Sequence, residues 1–212
     1  MPKKYIDLET LKYILYDIHQ LKDLLVHERF EDHDMESMDL FLDSIKEFSD
    51  RELYPFLKEM DEHPAHFKDG TVMVHEQVKT LMQKGGEMGI ISSSFDYENG
   101  GLQLPFLAHT AAIYILDAAN NHLPGYAGLT QGAAELIIEF ASQELNTTYV
   151  EKMTTGQWGG SMCLTEPQAG SSLSDIVTKA TSTDNGYYKI SGQKIFISAG
   201  DYQHTENVVH LV

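Results

Sequence analysis

Apolar residues recur at helical spacing through the first part of the chain. Residues 8–28 carry one such stripe, whose members are Leu8, Leu11, Ile14, Leu15, Ile18, Leu21 and Leu25. A repeat of about 3.6 residues places these side chains on one face of a helix. Asp34 suits the cap of a second helix, whose stripe runs through Met38, Phe41, Ile45, Phe48 and Leu53. Pro55 interrupts that stripe and predicts a kink.

More helices are predicted after a loop marked by His63-Pro64 and Asp69-Gly70. They cover residues 74–88, 105–121, 128–142 and 147–154. Gly89 is placed to end the first of them, and Pro105 suits the first turn of the second. Turn-forming residues separate the helices, because residues 92–105 are rich in glycine and polar residues and Pro124-Gly125 breaks the chain.

The pattern changes at Gly156, from the helical repeat to the two-residue period of strands. Strands are predicted at residues 160–165, 176–183, 187–190, 193–198 and 207–212. Asn185-Gly186, between the second and the third of them, is a strong hairpin signal. The predicted fold class is therefore α+β, with an all-helical N-terminal domain followed by a partial antiparallel β-domain.

We expect three segments: an N-terminal extension at residues 1–33, a helical domain at 34–156 and an incomplete β-domain at 157–212. The last strand runs into the terminus, because Val208-Val209-His210-Leu211-Val212 has no turn or polar tail after it. A sheet that stops in mid-strand leaves an unpaired edge. This pattern predicts a truncated chain, an engineered fragment or one half of a split protein.

Net charge and cysteine content limit which partners and which cellular compartment are expected. The formal net charge of -17 at pH 7 argues against nucleic acid, because an acidic chain repels a phosphate backbone. Cys163 is the single cysteine, so no disulfide can form within the chain and a reducing, cytoplasmic location is expected. No apolar core of a signal peptide follows the first four residues. The longest apolar stretch, residues 111–119, contains Asp117 and is too short to span a bilayer.

One candidate for chemistry is the segment Met162-Cys163-Leu164-Thr165-Glu166-Pro167-Gln168-Ala169-Gly170-Ser171-Ser172. A strand ends at Thr165, and Pro167 keeps the residue before it extended. The small residues that follow let backbone N–H groups approach an anion closely, and the serine hydroxyls add donors. Such a loop can bind a pyrophosphate without a lysine. An ordinary turn after a strand explains the same composition.

A second candidate is Gln193-Lys194-Ile195-Phe196-Ile197-Ser198. Strand alternation would place Phe196 and Ser198 on one face. An aromatic ring beside a hydroxyl suits a flat heteroaromatic cofactor, which the ring would stack on and the hydroxyl would bond. The alternative, a core phenylalanine and a serine at a strand end, fits equally well.

Together the two segments resemble the central β-domain of acyl-CoA dehydrogenases. The resemblance rests on Thr165-Glu166-Pro167 with Ala169-Gly170-Ser171, followed by Tyr188-Lys189-Ile190 and Gly192-Gln193-Lys194-Ile195-Phe196-Ile197-Ser198. The helical front is similar to that family's N-terminal domain, and the residues before Asp34 resemble the extension of some members. The resemblance implies that a C-terminal helical bundle is missing from this chain.

The resemblance also implies FAD as the cofactor and assigns roles to residues of both segments. Thr165 would bond the pyrimidine side of the flavin, with the backbones of Met162 and Leu164 beside it. Gly170 and Ser171 would meet the pyrophosphate, and Ser171 would also touch the acyl-CoA thioester arm. Phe196 stands where many members have a flavin-packing tryptophan, and Ser198 stands where they have a threonine facing N5.

Two departures from the family pattern concern the same loop. Ser172 stands where the family often has aspartate after the Gly-Ser pair, and Asp175 is a possible substitute. Gln168 stands where the family usually has glycine, which narrows the backbone freedom of the loop.

The reaction implied is α,β-dehydrogenation of an acyl-CoA thioester, a step of fatty acid β-oxidation, with hydride transfer to FAD. The family's catalytic carboxylate belongs to the absent bundle, so no catalytic residue is nominated, and Glu166 is expected to be structural. An electron-transfer acceptor and a homo-oligomeric intact enzyme are further implications. An acyl-CoA oxidase of the same fold and a non-catalytic helical interaction module stay open as alternatives.

The remaining candidates have ordinary explanations. His63-x-x-His66 could hold a metal, but no cysteine or spaced carboxylate completes the set, so no metal is expected. Residues 120–122 either line an acyl pocket or form a polar helix end. Trp158 is expected to pack at the domain boundary, and Cys163 is expected to be buried and inert.

Overall fold

The computed structural model describes residues 5–212, so the four residues at the N-terminus lie outside it. The first predicted helix is broken into short pieces. They are α1 (Leu8–Tyr13), a π-helical turn (Ile14–Ile18), α2 (Leu21–Leu24) and a 3₁₀ turn (Glu28–Phe30). Gln20 has a φ of 50°, a left-handed conformation that no helix can continue through. The prediction of one continuous helix was therefore wrong, although Leu11, Leu15 and Leu21 of the stripe are buried.

The second helix begins as predicted at the Asp34 cap. Helix α3 (Met35–Phe48) starts with a capping box, in which the Ser37 amide donates to Asp34 Oδ1 at 2.8 Å and the Asp34 amide donates to Ser37 Oγ at 2.9 Å. A π-helical turn (Ser49–Leu53) and a 3₁₀ turn (Tyr54–Phe56) follow before α4 (Leu57–Glu62). The predicted interruption at Pro55 is confirmed.

A short hairpin interrupts the helical region. Strands β1 (His66–Lys68) and β2 (Thr71–Met73) pair antiparallel around Asp69 and Gly70, which both have positive φ angles. The sequence predicted a loop and an all-helical domain here, so this hairpin is a correction. Helix α5 (Glu76–Glu87) follows, and Gly89, at a φ of 69°, lies just beyond its end as expected.

Three long helices complete this region: α6 (Phe106–Asn120), α7 (Pro124–Phe140) and α8 (Gln143–Thr154). Pro124 begins α7 instead of breaking the chain, because a proline ring is tolerated in the first helical turn, where no amide partner is needed. The Ser142 side chain caps α8 by accepting from the Leu145 amide. The largest core cluster joins α1, α3, α5, α6 and α7, and it includes Leu42, Ile45, Leu81, Ile115 and Leu116.

The last part of the chain forms two small sheets. Strand β3 (Trp158–Met162) pairs in parallel with β6 (Asn207–Leu211), and β4 (Lys179–Ser182) pairs antiparallel with β5 (Tyr188–Ser191). The hairpin predicted at Asn185-Gly186 is confirmed. The expectation of a purely antiparallel domain is corrected by the β3–β6 pair.

The predicted strand over residues 193–198 is absent. Phe196 has a φ of 57° and Ala199 a φ of 51°, so the backbone cannot stay extended through this segment. The prediction that Phe196 and Ser198 share one face of a strand was therefore wrong. The segment contains the strand-favouring residues Ile195, Phe196 and Ile197, but no neighbouring strand in the described chain pairs with it.

Contacts between the helices and the last part of the chain include a hydrogen bond to β3 and the burial of a tyrosine. The Gly160 amide of β3 donates to Thr130 Oγ1 of α7 at 3.0 Å, and a Cβ added at Gly160 would lie 2.8 Å from the Ala133 Cβ, so only glycine permits this approach. Farther along, Tyr202 is 3% exposed and packs edge-on against Tyr126 within the largest core cluster. Burial raises the pKa of Tyr202 to about 12.

Candidate functional site

The site begins where β3 ends. The Cys163 amide donates to the Leu211 carbonyl at 2.7 Å, which extends the β3–β6 ladder by one bond. The chain then turns at Pro167, and the turn is closed by two backbone hydrogen bonds between Glu166 and Ala169, of 2.9 and 3.1 Å. This closed turn leaves the next residues, Gly170 and Ser171, exposed at the surface.

Glu166 is the organising residue of this turn. Its side chain is buried, although Pro167 and Gln168 next to it are exposed. The carboxylate accepts hydrogen bonds from the amides of Val177 (2.8 Å) and Thr178 (3.0 Å) and from Gln168 Nε2 (2.6 Å). These bonds tie the small-residue loop to the segment that leads into β4.

Lys194 brings the second motif to the same carboxylate. Its ammonium donates to Glu166 Oε1 at 2.9 Å and to the Leu164 carbonyl at 3.0 Å. The next amide, that of Ile195, donates to the Thr165 carbonyl at 2.9 Å. We call Glu166, Lys194 and their shared hydrogen bonds the carboxylate clamp. The clamp holds residues 194–195 alongside residues 164–166.

The clamp also fixes the charge state of its carboxylate. The neighbouring Thr178 hydroxyl, the backbone amide of Val177 and the Lys194 ammonium hold the pKa of Glu166 well below its usual range, against the opposing effect of burial. Glu166 is therefore ionised throughout the neutral range. Because its oxygens are committed to donors of the clamp, it serves structure, as the sequence indicated.

The residues nominated for a cofactor are all exposed except Thr165, which is half-buried, and we call these residues the open side of the clamp. Along residues 161–164 burial alternates, as in a strand. Ser161 and Cys163 are buried, and Met162 and Leu164 are exposed. Thr165 is half-buried, and its hydroxyl makes no hydrogen bond to any residue in the range 5–212. The lone hydroxyl is thus available to a ligand.

The loop and the second motif are similarly open. A Cβ added at Gly170 would meet no atom within 4 Å, and Ser171 is exposed. Phe196 is 88% exposed, and Ser198 is also exposed. Small residues, accessible hydroxyls and an uncovered aromatic ring fit one side of a flavin dinucleotide site. Their surface positions mean that any such ligand needs a second wall.

Two features of this site were not recognised in the sequence. Lys194 was named only as part of a motif, although a lysine next to the apolar run Ile195-Phe196-Ile197 of a presumed strand signals a paired partner. Gln168 was expected only to stiffen the loop, whereas its amide donates to Glu166. Asp175 lies in a 3₁₀ turn (Leu173–Asp175), and its backbone carbonyl accepts from Gln168 Nε2 at 3.3 Å.

The other candidates are explained by local structure. Within residues 5–212, no three histidine, cysteine or acidic side chains group as metal ligands. The Asn120 carboxamide is buried and donates to the Leu53 carbonyl at 3.0 Å, so it ties a helix end to the core. Trp158 packs against Tyr149 and under the Lys152 ammonium, and Cys163 is buried. No helix in the described residues is long and apolar enough to cross a membrane.

Comparison with known proteins gives the same picture of the chain. Residues 35–157 match the profile of the acyl-CoA dehydrogenase N-terminal domain. The chain is 40% identical over 152 residues to 3-methylmercaptopropionyl-CoA dehydrogenase of Ruegeria pomeroyi, covering 72% of this chain and 26% of that protein. It is 31% identical over 210 residues to a butyryl-CoA dehydrogenase of Syntrophomonas wolfei, covering 97% of this chain and 34% of that protein.

Solved structures share the fold. An acyl-CoA dehydrogenase from Geobacillus kaustophilus superposes with a TM-score of 0.68 at 25% identity, over 84% of this chain and 43% of that one. A glutaryl-CoA dehydrogenase from Mycobacterium smegmatis in complex with FADH2 superposes with a TM-score of 0.64 at 17% identity, over 78% of this chain and 39% of that one. The chain thus spans about a third or less of the length of the curated relatives.

Proposed function

Because the chain belongs to the acyl-CoA dehydrogenase family, we propose that it forms the first part of a FAD-dependent enzyme that dehydrogenates an acyl-CoA thioester between Cα and Cβ. The observation that carries the proposal is the carboxylate clamp. It holds the two motif segments side by side and leaves their hydroxyls and the Phe196 ring open to a ligand.

The cofactor would lie against the open side of the clamp. The Thr165 hydroxyl and the backbones of Met162 and Leu164 would meet the flavin, and Phe196 and Ser198 would complete that wall. Gly170 and Ser171 would bind the pyrophosphate, since the loop offers a backbone amide and a hydroxyl with no side chain in the way. Ser171 would also contact the acyl-CoA substrate.

This part of the protein would orient the reactants, and the proton-abstracting carboxylate would lie outside residues 1–212. When bound, FAD accepts the β-hydrogen as hydride. The residues described above would hold the thioester and the flavin in register and exclude water from one side. Glu166 is excluded as the base, because its carboxylate is buried and bonded to the clamp donors.

The domain limits, location and assembly that we propose are those expected for a member of the family. We assign residues 1–33 to an N-terminal extension, 34–156 to the helical domain and 157–212 to the β-domain. The intact enzyme would act in the cytoplasm as a homo-oligomer in fatty acid β-oxidation and would pass electrons to a separate acceptor. The 212-residue chain alone would lack dehydrogenase activity and bind FAD weakly, because one wall of the site is all that these residues supply.

Flavin titration of the purified chain tests the proposed site without relying on turnover. We expect weak, saturable quenching of FAD fluorescence, which the triple variant Thr165→Ala, Ser171→Ala, Ser198→Ala abolishes. A matched triple variant of exposed hydroxyls elsewhere, Ser44→Ala, Thr147→Ala, Ser182→Ala, should bind like the wild type. Equal binding by all three proteins would refute the assignment.

Turnover gives the second arm of the test. The chain is incubated with acyl-CoA, FAD and an artificial electron acceptor, and we expect no reduction above the protein-free rate. Reduction at the rate of a complete family member, with no second polypeptide present, would show that the base lies within these residues.

A further inference from the structure

The chain contains two Asn-Gly pairs, and the fold places them in contrasting surroundings. Asn185-Gly186 forms the tip of the β4–β5 hairpin, where both residues are exposed. Gly186 has a φ of 77°, and a Cβ added there would meet no atom within 4 Å. Below the tip, the Thr183 amide donates to the Tyr187 carbonyl at 3.0 Å and closes the turn.

The backbone amide of the glycine distinguishes the two pairs. Within residues 5–212, the Gly186 amide has no hydrogen-bond acceptor. The Gly100 amide, in contrast, donates to the Tyr97 carbonyl at 3.0 Å. The Gly100 carbonyl also accepts from Ser92 Oγ at 2.9 Å, so that the second pair is fixed on both sides. Asn99 itself is half-buried.

We propose that Asn185 is a site of spontaneous deamidation and that Asn99 is protected from it. The Gly186 backbone nitrogen attacks the side-chain carbonyl carbon of Asn185 as its proton passes to solvent. The side-chain nitrogen takes up a proton from solvent, its bond to carbon breaks, ammonia leaves and a five-membered succinimide forms. Water then opens the ring at either carbonyl and gives aspartate or isoaspartate, with no change of oxidation state.

The modification alters the hairpin in two ways. Each product adds one negative charge at neutral pH to a chain that already carries -17. Isoaspartate also routes the backbone through the side-chain carbon, which lengthens the turn and disturbs the Ser182–Tyr188 register below it. The hairpin with its exposed Tyr187 and Tyr188 should therefore loosen as the protein ages.

The experiment compares the two asparagines within one molecule. The purified chain is incubated at mildly alkaline pH, and peptides containing each site are followed by mass spectrometry over days. We expect Asn185 to convert while Asn99 stays intact, and Asn185→Gln to abolish the product at the hairpin. In urea, where the fold is lost, both pairs should convert at similar rates.

The urea sample gives the deamidation rate of each asparagine without the fold, against which the native rates are compared. Native Asn185 that converts no faster than native Asn99 would overturn the proposal. So would a native Asn185 that stays intact over the time in which the unfolded chain converts, since the fold would then protect the hairpin tip as well.

Discussion

The helical region (residues 8–154) and the β-region (residues 158–211) are held together by different forces. Helix α3 buries Met38, Leu42, Ile45 and Phe48 along one face, and its neighbours close over them. Every residue of β4 and β5 is exposed. The order of the β-region depends instead on the carboxylate clamp and on its contacts with the helices. Apolar stripes thus specify the helical region. In the β-region, Trp158, Val209 and Leu211 pack on the helices, whereas the loops around the exposed hairpin depend on a few buried polar groups.

The largest expected effect on stability comes from shortening a buried side chain of the apolar stripe. Leu42→Ala removes a side chain that is fully buried, and should lower the free energy of unfolding by about 2–5 kcal/mol, because lost transfer energy and a cavity add together. Leu40→Ala is the matched control, since Leu40 lies on the same helix and is 65% exposed. Its effect should stay within about 0.5 kcal/mol in urea-unfolding experiments. Equal effects would mean that α3 is not packed as described.

A smaller and more local effect is expected from the clamp. Lys194→Met keeps the apolar stem but leaves the Glu166 carboxylate without its cation and the Leu164 carbonyl without its donor. Hydrogen exchange should accelerate at the amides of Val177, Thr178 and Ile195, while the helices keep their protection. Lys189→Met, on the exposed strand β5, is the control and should change none of these rates. Faster exchange throughout the helical region would contradict a local role.

The smallest effect concerns pH. Because the folded-state pKa of Glu166 is depressed, its carboxylate contributes stability above the pKa of an unfolded glutamate, about 4.3. That contribution is lost as the pH falls from there towards the depressed value. Wild type should therefore exceed Glu166→Gln in unfolding midpoint at pH 7, and the difference should shrink below about pH 4. A difference that is constant down to pH 3 would show that ionisation of Glu166 is irrelevant.

The same contrast explains what the sequence could predict. The positions of α3, α5 and α6 followed from apolar spacing and caps, because these signals are local, whereas α8 begins at Gln143, before its predicted start at residue 147. The β1–β2 hairpin was missed, since its three-residue strands carry no period. The strand expected at residues 193–198 failed for a non-local reason: Lys194 turns back to a carboxylate that lies 28 residues earlier in the chain. Strand-favouring residues alone do not reveal that a partner strand is lacking.

The candidate site also has features that the sequence could predict and features that only the structure shows. The segments around Thr165 and Phe196 were identified because their residue types match a pattern that is contiguous in sequence. The structure adds the bond between Ile195 and Thr165 and the burial of Glu166, which depend on how the chain returns to itself. The contacts of Thr165, Ser171 and Ser198 with a flavin stay predictions until the titration is done.

The position of Tyr202 also constrains how the protein is synthesised. Its ring fills a place in a core whose other buried residues lie between 11 and 127, and Ala199 and Val208 are the later residues that pack against it. A ribosome makes those residues first, and we expect the core to close fully only when residue 202 has left the exit tunnel. During that interval the nascent helices expose the apolar surface around Tyr126. The helical region therefore completes its fold only after most of the β-region has been translated.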